Sequence, residues 1–100
     1  MTENMYYVYI LRCANGAYYV GYTQDVEQRV LLHNQGRAAT YTQRNGPVTL
    51  LYSESHPTEK SAMTRERQIK KWTRTKKEAL INGDLDRLHK ASKRKTITKL

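Results

Sequence analysis

The sequence predicts an α+β domain, a small three-stranded antiparallel sheet flanked by helices in the order β-β-α-β-α-α. Three observations carry this. Two runs rich in aromatic and β-branched residues, Tyr6–Leu11 and Ala17–Thr23, sit on either side of Asn15-Gly16, a strong hairpin signal. Two later segments with helical periodicity begin at capping residues. The chain has 100 residues, 38% hydrophobic and 27% charged, which is room for one modest core.

Each element follows in order. Tyr6–Leu11 is the first strand and Ala17–Thr23 the returning one. A two-residue Asn15-Gly16 loop pairs Leu11 with Val20 and sends Tyr9 and Tyr19 to opposite faces, because cross-strand partners share a face. A three-residue loop, Ala14-Asn15-Gly16, places Gly16 at the left-handed position of a bulged turn. It pairs Leu11 with Tyr19 and Tyr9 with Gly21. The second register gathers Val8, Ile10 and Val20 on one face and Tyr7, Tyr9 and Tyr19 on the other, so it is the one expected. Asp25 caps a helix running to about Gln35, and Gly36 ends it. Residues 37–47 are a polar loop. Val48–Ser53 is the third strand. Pro57-Thr58 opens a helix reaching about Thr73, and a last short helix stops at Asn82-Gly83. The domain is expected over residues 5–83, with a basic tail over 84–100 that is partly disordered from Ala91.

Charge speaks about partners. There are 18 lysines and arginines against 9 acids, net +9. Residues 1–50 carry four bases and three acids; residues 51–100 carry fourteen and six. All eight tyrosines precede residue 53. Such asymmetry points to nucleic acid ahead of a merely solvated face or an acidic membrane surface. The single cysteine, Cys13, excludes an internal disulfide framework and is expected as a half-buried thiol. No basic n-region precedes an apolar stretch and no run approaches the ~18 residues that span a bilayer, so the expected location is the cytoplasm, with no membrane contact.

Two helices hold residues able to do chemistry. On the first, Val26, Val30 and His33 form one stripe with Arg29 on its flank. Taken alone, Arg29 reads as a snorkelling surface residue and His33 as a satisfied histidine at the core edge. On the second, residues 60–77 carry eight bases and one acid, Glu66. Glu66 falls on the inward stripe with Ala62, Met63 and Ile69. A carboxylate there is costly unless it binds a metal or pairs with Arg29 or a neighbouring lysine or arginine, and both readings stay open.

These residues resemble a family. Tyr7-Val8-Tyr9 and Tyr19-Val20-Gly21 look like the paired motifs of GIY-YIG nucleases. Asp25–His33 resembles the helix that follows them, and Ala62–Trp72 the segment with the metal-binding glutamate. Tyr7 stands where the name motif has glycine, and Val8 and Val20 where it has isoleucine. Asn82 is a poor match to a late asparagine near the metal site in many members. The similarity is to the small, single-domain bacterial members of poorly defined function.

The resemblance implies an endonuclease that hydrolyses phosphodiester bonds, on DNA more than RNA, in repair or recombination, with Mg2+ or Mn2+ as cofactor and a protein partner for targeting. It implies Tyr9 and Tyr19 at the active site, one helping to activate the attacking water. Arg29 contacts the phosphate and His33 is a base or phosphate contact. Glu66 holds the metal. Gly21 leaves space for substrate backbone, and Tyr7, Arg65, Lys70 and Lys71 are further substrate contacts. The residue types suit that chemistry: one carboxylate suffices for Mg2+, which keeps several waters, and the arginine fork matches phosphate. A non-catalytic nucleic-acid-binding module on the same fold is the rival reading.

The charge pattern generates a prediction. Affinity for DNA should fall steeply between about 50 and 200 mM salt, and each neutralised phosphate contact should lower the log–log slope by about one. Titrations of a labelled duplex at several salt concentrations check it, and salt-independent affinity contradicts it.

Overall fold

The computed structural model describes residues 4–37 and 46–84. Residues 38–45 of the expected loop, and the basic tail beyond Asp84, lie outside the described residues. The chain forms two compact units, one up to Lys70 and one from Lys71 onward.

The first unit contains β1 (Tyr6–Cys13), β2 (Tyr18–Thr23), α1 (Val26–Asn34), β3 (Val48–His56) and α2 (Glu59–Lys70). The second contains α3 (Arg74–Ile81). The sheet is antiparallel with β1 in the centre, in the order β2-β1-β3. This is the α+β architecture expected.

The hairpin has the three-residue loop. Gly16 N–H donates to Cys13 O at 2.8 Å, Cys13 N–H donates to Ala17 O at 2.8 Å, and Gly16 has φ +90°, a backbone conformation that disfavours any side chain. Tyr9 therefore pairs with Gly21 and Leu11 with Tyr19. The alternation then sorts two cores. Val8, Ile10 and Val20 are buried, as are Ala62 and Ile69 of α2, the helix packed against β1 and β2. On the other face Tyr9, Leu11, Cys13 and Val48 cluster with Tyr19 and with Val30 of α1. Cys13 is buried rather than half-buried, and burial pushes its thiol up, which makes it inert.

α1 begins where Asp25 Oδ1 accepts from Gln28 N–H at 3.0 Å. It closes through Gly36 N–H to His33 O and Arg37 N–H to Leu32 O. Asn34 Oδ1 accepts from Val48 N–H at 2.7 Å, which ties the end of α1 to the start of β3.

Three boundaries differ from expectation, the first being β1, which runs to Cys13 rather than Leu11. β3 runs to His56 rather than Ser53, because its polar half pairs with β1 as far as Tyr6↔His56. A register shift between Ile10 and Leu11 leaves Leu51 as the extra residue of a bulge. The helix expected to reach Thr73 ends at Lys70. Thr73 is instead extended and caps α3, its hydroxyl accepting from Lys76 N–H at 3.2 Å. In that second unit Lys76 Nζ lies 4.1 Å from the centre of the Trp72 ring, a cation–π contact.

The register makes Gly21 a close-contact position. A Cβ there would lie 2.5 Å from Tyr9 Oη and 2.7 Å from Cζ. Gly21→Ala should force the buried Tyr9 ring to move and cost about 1–3 kcal/mol. Thermal melts of wild type and variant check this, and an unchanged Tm contradicts it.

Candidate active site

β1, β2 and α1 bring the two motif phenols onto one histidine. Tyr9 Oη lies 3.1 Å from His33 Nε2. The ring centres of Tyr9 and Tyr19 are 6.0 and 5.1 Å from that of His33, both edge-on. Tyr9 and His33 are each 1% exposed, whereas Tyr19 is half-buried. Tyr19 is thus the more exposed of the two motif tyrosines. Arg29, four residues before His33 on α1, places its charge close enough to lower the Tyr9 phenol.

Burial and the neighbouring Tyr19 raise the Tyr9 phenol to about 12, with Glu66 adding to the rise and Arg29 opposing it. Burial, then the Arg29 charge, push His33 below its usual range. At neutral pH the phenol is therefore protonated and the imidazole neutral. The protonated phenol O–H is thus assigned as the donor to His33 Nε2 across 3.1 Å, with the neutral imidazole nitrogen accepting. This assignment follows from matching donors to acceptors. The phenol and the imidazole are thus in hydrogen-bond contact, with the Arg29 charge beside both.

Glu66 comes from α2, on the far face of the sheet. Its charge reaches Tyr9 and also Tyr22, the residue after Gly21. Its side chain is 14% exposed and its Oε2 lies 2.7 Å from Lys70 Nζ. Of the ion-pair partners the sequence allows, the one found is the neighbouring Lys70 and not Arg29.

A cleft of about 490 Å³ wraps the end of β2, lined by Tyr6, Tyr22, Thr23, Asp25, Arg29 and Glu59 among others. In it Tyr22 Oη donates to Glu59 Oε2 at 3.0 Å, and that bond raises the Tyr22 phenol. Sequence reasoning missed Tyr22 and Glu59, although Glu59 lies two helical turns before Glu66.

The expected substrate contacts separate in space. Gly21 sits directly under the Tyr9 phenol, so its bare backbone admits a side chain of this chain. Tyr7 lines another cleft, with Val26 and Leu50. Lys70 is paired with Glu66. Arg65 is engaged on Glu54, with Nε at 2.8 Å from Oε2 and Nη2 at 3.2 Å from Oε1. Lys71 is an exposed residue of the second unit. Glu54, also bonded by Tyr52 and His56, was the other omission. Its signal was present as three polar side chains at alternate positions on one strand face.

Among the described residues no three or more His, Cys, Asp or Glu side chains gather as a metal cage. The acid that could serve as a ligand, Glu66, offers a single shielded carboxylate, here paired with Lys70. That suits Mg2+ or Mn2+, which take one or two carboxylates and keep waters, and not a structural zinc, which demands four protein ligands.

The model of the GIY-YIG catalytic domain matches residues 5–79. The chain belongs to the GIY-YIG family, a nuclease superfamily. Within it the chain is similar to the UPF0213 proteins. It is 43% identical to one from Bacillus pumilus over 81% of this chain and 83% of the relative. It is 49% identical to one from Halobacterium salinarum over 77% of this chain and all of the relative. The solution NMR structure of a UPF0213 protein from Bacillus halodurans superposes with a TM-score of 0.51 at 38% identity, covering 86% of this chain and 95% of that one. A protein of E. faecalis gives 0.55 at 36% identity, covering 82% and 90%.

The raised phenols set a pH dependence. Tyr9 and Tyr52 both stand at about 12 against an ordinary 10.0. Above pH 10 the unfolded chain loses these protons while the folded chain keeps them, so stability falls as pH rises from 10 to 12. The fall should be shallower in Tyr9→Phe. Denaturant midpoints between pH 8 and 12 check it, and parallel curves for the two proteins contradict it.

Proposed function

We propose that this protein is a metal-dependent endonuclease that hydrolyses phosphodiester bonds of nucleic acid, DNA more than RNA, and acts in repair or recombination in the cytoplasm. One observation carries the reading. Tyr9, Tyr19, Arg29 and His33 converge beside Gly21 with the Glu66 charge in reach, and the cleft at the end of β2 opens onto Arg29.

Each residue then has a role. Arg29 grips the scissile phosphate with its planar fork and carries charge that develops on it. Tyr19, with solvent access, orients the attacking water. His33, neutral at pH 7, accepts the Tyr9 O–H and so holds the two motif rings in place beneath the reacting groups. Glu66 would hold Mg2+ or Mn2+, and the ion when bound supplies Lewis-acid polarisation of the phosphate. A partner protein or the shape of the nucleic acid supplies the target.

The Glu66–Lys70 pair favours the rival reading of a non-catalytic binding module, in which Glu66 is only structural. Lys70 is 52% exposed and Glu66 14%, and an i,i+4 helix pair whose cation stays in solvent contributes about 0.3–0.5 kcal/mol. Glu66→Gln should therefore hardly move Tm on either reading, but it separates them in activity. In a screen of nicked, branched and single-stranded DNA with Mg2+ or Mn2+, it should lower cleavage by about 100-fold or more and leave DNA affinity equal or tighter. Cleavage at the wild-type rate removes Glu66 from the reaction.

A further inference from the structure

We propose that Glu54 and Arg65 are positioning residues that set the rotation of α2 and so aim Glu66 at the site. The inference rests on the reading of Glu66 as the metal ligand. Ala62 and Ile69 form the buried stripe of α2. At 100° per residue, Arg65 lies about 50° to one side of that stripe and Glu66 about 50° to the other. An apolar stripe alone lets a helix roll on its sheet, since hydrophobic contact is not directional. A bidentate ion pair on one flank removes that freedom, because the guanidinium fork meets a carboxylate in one plane.

The clamp is built from β3. Glu54 accepts from Arg65 Nε at 2.8 Å and Arg65 Nη2 at 3.2 Å, from Tyr52 Oη at 2.6 Å, and from His56 Nε2 at 2.7 Å. His56 Nδ1 in turn lies 2.6 Å from Ser61 Oγ. With Nε2–H donating to the carboxylate, Nδ1 accepts and the Ser61 hydroxyl donates. The first turn of α2 and its middle are thus both fastened to the same strand. Burial opposes a charged Glu54, but the bonds from Arg65, Tyr52 and His56 outweigh it and hold the carboxyl below its usual range. The clamp is intact at neutral pH.

The sheet order makes the clamp consequential. β3 and β2 lie on opposite sides of β1. Arg65 binds a strand on one side, while Glu66 acts on Tyr22 of β2 on the other. A carboxylate that must meet a metal within about 0.5 Å and 10–20° cannot tolerate a rolling helix.

The test reads metal binding apart from turnover. Mn2+ titrated into the wild-type protein should broaden the amide signals of Gly21, Tyr22 and Glu66, and Glu66→Gln should abolish this. In Glu54→Gln the broadening, and the Mg2+ half-saturation of DNA cleavage, should need about 10-fold or more extra metal, with DNA affinity unchanged. Arg65→Lys keeps the charge without the fork and should give an intermediate shift. The reciprocal exchange, Glu54→Arg with Arg65→Glu, should recover part of the Mn2+ affinity. If Glu54→Gln and Arg65→Lys lower Tm yet leave both metal titrations at wild-type values, the clamp is structural only and the proposal is overturned. If Glu66→Gln keeps the broadening, it is the reading of Glu66 as ligand that fails, and the clamp has nothing to aim.

Discussion

The burial of the Tyr9 phenol over the bare backbone of Gly21 is the contact on which the candidate site depends. A methyl group at residue 21 would fall 2.5 Å from the phenol oxygen. With glycine there, the ring lies close enough against β2 for its hydroxyl to reach His33, within the influence of the Arg29 charge. The contact exists because the hairpin turn contains three residues and not two. Gly16 in the left-handed region sets that count, and so fixes which phenols share a face with which backbone.

The site is then assembled from opposite faces of one sheet. α1 supplies Arg29 and His33 to the face holding Tyr9 and Tyr19. α2 supplies Glu59 and Glu66 from the other, where Tyr22 points. The two sets meet at β2 because it is an edge strand and because its central residue has no side chain. Placing cation and carboxylate on different elements, with phenols between them, keeps Arg29 from pairing with Glu66. Each is left to act on something else: Glu66 lies on Lys70, and Arg29 faces Tyr9 and the cleft.

β3 serves both faces. Its start is tied to α1 through Asn34 and its end to α2 through Glu54 and His56. Its second half is polar and still a strand, since pairing with β1 satisfies the backbone whatever the side chains are. That explains why propensity stopped the strand at Ser53. It also explains why Glu54 went unnoticed. An acid, a histidine and a tyrosine at alternate strand positions share a face, and Ser61 and Arg65 one helical turn apart share another. Nothing local says that these two faces meet.

By itself the sequence determined the order of elements, the hairpin register, the caps of α1 and the end of α3. It also determined the family motifs that single out Tyr9, Tyr19, Arg29, His33 and Glu66. These are properties of neighbouring residues: a period of two or 3.6, a glycine where φ is positive, a side chain that caps its own turn. Only the tertiary structure decided that Tyr9 is buried while Tyr19 is not, that Glu66 pairs with Lys70, and that Arg65 is held by Glu54 rather than left for a phosphate. Those outcomes depend on how α1 and α2 roll on the sheet. That roll is settled by contacts between residues distant in the chain, whose energies no local pattern contains.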